Sequence, residues 1–185
     1  MTVPPGWWFS CDGYLMTWTL EASRLAITAD TDLLLALLHD PVPEIRVSAG
    51  DALGAALGNV DRIGEALRDR LAVEQVPAVR AGLVLACAEL ARGHSDPDTA
   101  GWLGTLWPDP VQPAGIRVAA ALAWLCLTDC AVPDDLRDMV DAFVAADVHG
   151  VLNGVPWIAR TGGLAATVGQ MLHGTPVGDP IPLGC

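Results

Sequence analysis

The chain has 185 residues, 52% of them apolar, a net charge of −12, and ten basic residues that are all arginine. That length suits one domain or a short repeat array with a sizeable core. The missing lysine excludes Schiff-base chemistry and a lysine-completed phosphate loop, and the acidic balance repels nucleic-acid backbones.

Residues 1–30 read as an aromatic N-terminal segment leading into a first helix. GWWFSCDGYLMTW, from Gly6, holds Trp7, Trp8, Phe9, Tyr14 and Trp18, half the aromatics of the chain. One reading is a cap that shields the open end of a helical array. The other is a contact site for a partner or ligand, with Trp7, Trp8, Tyr14 and Trp18 as binding residues. If that end encloses an apolar small molecule, Cys11, Asp12 and Glu21 are the nearest titratable groups. The segment has no basic region followed by an apolar run, so no signal peptide is expected. No apolar run approaches about twenty residues, so no membrane span is expected.

The helical elements follow in order. TDLLLALLHD, from Thr31, sits behind the N-cap-type residues Asp30 and Thr31. PEIRVSAGDALGAAL starts at Pro43, and VDRIGEALRDRLAVE, from Val60, turns Ile63, Leu67 and Leu71 to one side. PAVRAGLVLACAELA starts at Pro77, the short GWLGTLW at Gly101, and PAGIRVAAALAWLCL at Pro113. DDLRDMVDAFVAA, from Asp134, buries Leu136, Met139, Val140 and Phe143, and its leading aspartates suit the positive end of the helix dipole. VPWIARTGGLAATVGQML follows from Val155, and the Pro/Gly-rich residues 174–185 read as an irregular tail.

Three of these helices are copies. Each has a proline and then a β-branched residue followed by arginine: Ile45 and Arg46, Val79 and Arg80, Ile116 and Arg117. The apolar or small positions then step by four, three and four, as in Val79, Leu83, Ala86 and Leu90, the spacing of one helix face. The arginines recur 34 and 37 residues apart, a period that means a solenoid of helix pairs over residues 31–173. The stretch with Pro156 and Arg160 is a degraded or capping fourth copy, weakened by Gly162 and Gly163.

DPVPEIRVSAGDALG, from Asp40, resembles the HEAT-like repeat family, in its short phycobilisome-lyase-type form. That resemblance implies a right-handed α-solenoid of about four helix pairs, a concave face lined by the second helix of each pair, and protein-binding or scaffolding roles. A few relatives handle bilins or act on alkylated DNA, and nothing here matches the residues those activities need.

Arg46, Arg80 and Arg117 read as inter-repeat rungs, with the turn aspartates Asp40 and Asp109 as partners, since a guanidinium fork holds a carboxylate and turn carbonyls together. The competing reading is an anion-binding track that includes Arg160. Asp134, Asp135, Asp138 and Asp141 read as a solvated face. The odd cysteine count, with Cys87 and Cys126 inside apolar helices, argues for reduced thiols rather than a disulfide framework. Cys126 and Cys130 lie one turn apart without a further ligand nearby, and His39, His94, His149 and His173 sit near helix ends, so no metal site and no cofactor is expected. No nucleophile motif is present.

The sequence therefore leads to an all-α solenoid in a bacterial cytoplasm, non-catalytic, binding a protein or peptide with basic patches through its concave face or aromatic end. Self-association is a specific form of this. The alternative is an enzyme or biosynthetic accessory holding an apolar small molecule near the Trp-rich end; nucleic-acid binding ranks lower.

Overall fold

A computed structural model describes residues 23, 25–94, 96–128, 130–146, 152–160 and 162–172. Among them every regular element is a helix: α1 (Thr31–Leu37), α2 (Pro43–Gly54), α3 (Val60–Val73), α4 (Pro77–His94), α5 (Pro97–Leu106), α6 (Ala114–Leu127), α7 (Asp134–Ala146), α8 (Pro156–Arg160) and α9 (Leu164–Leu172). No helix among the described residues is long and apolar enough to cross a membrane.

Proline marks the starts. It opens α2, α4, α5 and α8, and Pro113 precedes α6. A first-turn residue has no intrahelical acceptor for its N–H, so the missing donor costs nothing there. Asp96 caps α5 by accepting from Asp98 N at 3.0 Å and Thr99 Oγ1 at 2.8 Å. The expected side-chain cap at Asp30 and Thr31 is not made, and Thr31 Oγ1 donates to the Thr28 carbonyl instead. Residues 25–29 are already helical and supply the carbonyls for the next turn, so no orphan amide needs a side chain there.

The three proline–arginine helices form an inner row. α4 packs between α2 and α6, while α1, α3 and α5 each pack on the inner helix that follows them in sequence. Two apolar clusters result, one between α2 and α4 and the other between α4 and α6, the latter extended by α5, α7 and residues 152–172. α4 serves both. Val79, Leu83, Ala86 and Leu90 face α2, while Ala81, Val84, Leu85 and Ala88 face α6. A helix with neighbours on both flanks has no face left for polar groups, which is why residues 81–88 carry none. Each fully buried Leu or Val contributes roughly 1.5–3 kcal/mol.

Small residues set the spacing of the row. A Cβ on Gly54 would lie 2.8 Å from the Ala86 carbonyl oxygen, and one on Gly82 would run into Val47. The backbones of α2 and α4 therefore approach as only glycine permits. In α2 the buried positions are Arg46, Val47, Ala49, Gly50, Leu53 and Gly54, while Ile45, the expected first residue of its stripe, is 38% exposed. α2 has an inner neighbour on one flank only, and its stripe turns toward that flank.

The stretch from Val155, expected as a degraded fourth copy, departs from the pattern. Its helix breaks at Gly162 and Gly163, both in the left-handed region (φ 90° and 95°), where L side chains are strained. Gly162 N and Gly163 N donate to the carbonyls of Ala159 and Ile158, closing α8, and Asn153 Oδ1 accepts from Leu164 N at 2.7 Å to open α9. α8 turns back across the inner row and reaches α2. A Cβ on Gly115 in α6 would sit 3.8 Å from Leu152, and one on Gly82 in α4 would sit 3.7 Å from Val155. At the far end Arg160 forks onto Asp51 of α2 at 2.6 and 2.9 Å.

Candidate functional site

The arginines of the copies have different fates. Arg46 is buried and fully used. Its Nε and Nη2 donate to the two oxygens of Glu74 at 2.8 and 2.9 Å, and its Nη1 donates to the carbonyls of Asp40 and Pro41. Arg70 adds two more bonds to Glu74, and the amides of Gln75 and Val76 add two. Burial opposes ionisation of Glu74, but the bonds from Arg46, Val76, Arg70 and Gln75 outweigh it and lower the carboxyl to about 2. The loop before α4 is thereby bound to the first turn of α2.

Asp40 meets Arg46 through its backbone carbonyl, and its carboxylate accepts from Val42 N two residues on. Asp109 likewise takes Val111 N and Gln112 Nε2, and Arg117 Nε donates to the Trp107 carbonyl at 2.9 Å. Both aspartates hold their own turns by the short-range geometry that suits this side chain, rather than meeting an arginine through their carboxylates. Glu74 carries the ion pair instead. Its signal was its place three residues before Pro77, at the mouth of a copy.

Arg80 differs from the other three. Its Nε is buried and meets no hydrogen-bond partner among the described residues. The side chain borders a cavity of about 380 Å³ whose other walls include Pro77, Pro113, Ile116, Phe143 and Ala146. The cavity lies where the first turns of α4 and α6 meet the last turn of α7. Ala114 and Gly115, also in its wall, belong to the first turn of α6. A second gap, of about 10 Å³ beneath Trp157, is bordered by Leu85, Ala88, Ala123 and Cys126 and is no larger than a single water.

Burial pushes the thiols of Cys87 and Cys126 up to about 12, against weaker opposing pulls from Arg68 and Arg92. Cys130 is exposed. Asp134, Asp135, Asp138 and Asp141 are exposed on α7. His94 Nε2 lies 3.3 Å from the Ala56 carbonyl. Among the described residues no group of three or more His, Cys, Asp or Glu could hold a metal. Trp7, Trp8, Tyr14 and Trp18, with Cys11, Asp12 and Glu21, lie outside the described residues, as do His149 and His173.

Comparison of the chain with protein-family models, with curated proteins and with solved structures returns no match.

Proposed function

We propose that the chain is a non-catalytic interaction module, a right-handed HEAT-like solenoid that takes a peptide or protein segment on the face of its inner helices. The observation that carries this reading is the segment 152–160, which lies across α6, α4 and α2 in the manner of a bound peptide. Leu152, Val155 and Ile158 are buried, Trp157 covers the α4–α6 seam, and Arg160 ends on Asp51. Apolar anchors followed by a cation are the features this face accepts, and they suit an acidic chain whose partner carries basic groups. A second copy exchanging the same segment is a specific form of this partner.

The test is fluorescence anisotropy with a labelled peptide spanning 152–160. Arg160→Ala in the full chain loosens the resident segment while leaving Asp51 for the incoming one. The peptide is expected to saturate this variant at lower concentration than the parent, and light scattering reports any exchange between copies. Absence of saturation on both chains overturns the reading. A second reading, small-molecule binding, is supported by the cavity that Arg80 borders; the Trp-rich end expected to hold such a molecule lies outside the described residues.

A further inference from the structure

We infer that the flank of α2 turned away from α4 docks an amphipathic helix of a partner protein, one with small residues along its contact stripe and basic residues beside it. α8 reaches α2 at Asp51 and leaves this flank open.

The repeat register identifies the face. In α4 the side that receives α2 includes Val79, Gly82 and Ala86. A Cβ on Gly82 would run into Val47, and one on Gly54 would meet the Ala86 backbone. In α6 the matching residues, 37 positions on, are Ile116, Ala119 and Ala123, in the cluster between α4 and α6. All six are buried. The matching residues of α2, 34 positions before those of α4, are Ile45, Ser48 and Ala52. Ile45 and Ser48 are exposed, and Ala52 is half-buried. α2 thus carries the side that α4 and α6 each use to receive an inner helix, and the described elements packed on α2 leave it open.

The apolar surface extends past α2. Val42, in the turn before Ile45, is exposed, and so is Leu33 of α1. Asp32 marks the α3 side of α1 through its ion pair with Arg62 at 2.7 Å, and Leu33 and Leu37 stand on the other side of that helix. Serine and alanine at the centre of the flank permit the close approach that glycine and alanine permit in α4, which suits a partner helix with small residues at the crossing.

Charge selects the partner. Between residues 25 and 52 the acids are Asp30, Asp32, Asp40, Glu44 and Asp51, and the one arginine, Arg46, is buried against Glu74. Asp32 and Asp51 hold Arg62 and Arg160, while Asp30 and Glu44 are exposed beside the apolar positions. A second copy docked by the same flank would set like charges against each other, on chains that each carry −12. Lysine or arginine beside the stripe of a partner helix meets Glu44 and Asp30 instead.

The probe is a labelled, end-capped peptide of residues 43–57 carrying Glu44→Lys and Asp51→Lys. Its Val47, Gly50 and Gly54 are the residues that α2 presents to the next inner helix. Fluorescence anisotropy with the full chain is expected to show saturable binding that weakens with salt and is at least about tenfold tighter than that of the unaltered acidic peptide. Ser48→Trp fills the flank from an exposed position, at the loss of one exposed hydrogen bond within its own helix. It is expected to abolish binding without moving the thermal midpoint of the chain. Glu44→Lys in the chain is expected to weaken the basic peptide and likewise to leave the midpoint unmoved. No saturable binding, or equal binding of the two peptides, overturns the assignment. So does undiminished binding by Ser48→Trp, which would seat the peptide elsewhere. A lowered midpoint of Ser48→Trp without peptide would mean that the chain's own residues cover the flank. Self-association of the parent in sedimentation, lost in Ser48→Trp, would give the flank to a second copy. Either result also overturns it.

Discussion

Replacing Glu74 by alanine removes the acceptor of six hydrogen bonds, four from the guanidinium groups of Arg46 and Arg70 and two from backbone amides. The Glu74 side chain is 1% exposed and that of Arg46 8%, so water cannot readily replace what is lost. Breaking one partner of a buried pair costs about 3–5 kcal/mol. Arg46 Nη1 keeps the carbonyls of Asp40 and Pro41, and Arg70 lies nearer solvent, which places the expected loss at the low end, about 3 kcal/mol. With a urea dependence of about 2 kcal/mol per molar, the unfolding midpoint falls by about 1.5 M. Urea unfolding followed by far-ultraviolet circular dichroism measures this directly. The paired variant Arg46→Met/Glu74→Leu, which leaves no buried charge behind, is expected to recover most of the loss. A Glu74→Ala loss below about 1 kcal/mol, the level of an exposed ion pair, would refute the reasoning, since the pair would then be acting as a surface contact.

Acid has the same target: the folded carboxyl sits near 2 against a usual value of 4.5, so its contribution is complete above about 4.5 and is lost as pH falls toward 2. The stability gap between parent and Glu74→Ala is expected to narrow over that window in urea titrations at stepped pH. Gly82→Ala drives a methyl into Val47 and is expected to destabilise by about 1–3 kcal/mol despite alanine's better helix propensity, whereas the added Val47→Ala should restore much of it. Iodoacetamide at pH 8 is expected to label Cys130 and spare Cys87 and Cys126, as read by peptide mass spectrometry; rapid labelling of Cys87 in the folded chain would contradict its burial.

Much of the helical layout was legible in the sequence because it is local. Prolines at the starts, the four-three-four stripe in α4, and the apolar sides of α3 and α7 all depend on residues within a few turns of one another. The arginine rungs were legible as positions but not as pairs. Glu74 lies 28 residues from Arg46, and Asp51 lies 109 residues from Arg160, and no local rule connects them. The aspartates nearest in sequence had closer claims in their own turns. The double glycine was read as a weak point within one helix. Two consecutive positive-φ residues make it a break, and the break separates α8 from α9. The cavity needed the ends of three helices to come together, so no local stretch of sequence marks it.

The return of α8 to α2 also bears on how the chain folds and how it can change in length. In a simple stacked array each unit touches its neighbours alone, so units can be added, removed or melted from one end almost independently. Here the Arg160–Asp51 contact joins α8 to α2, elements more than a hundred residues apart. Loop closure over so long a stretch makes the joined state slow to reach, while the exposed pair itself adds no more than about 1 kcal/mol. Hydrogen exchange should therefore find α2 loosened by a change at Arg160. A helix pair inserted between α2 and α8 would carry Arg160 out of reach of Asp51.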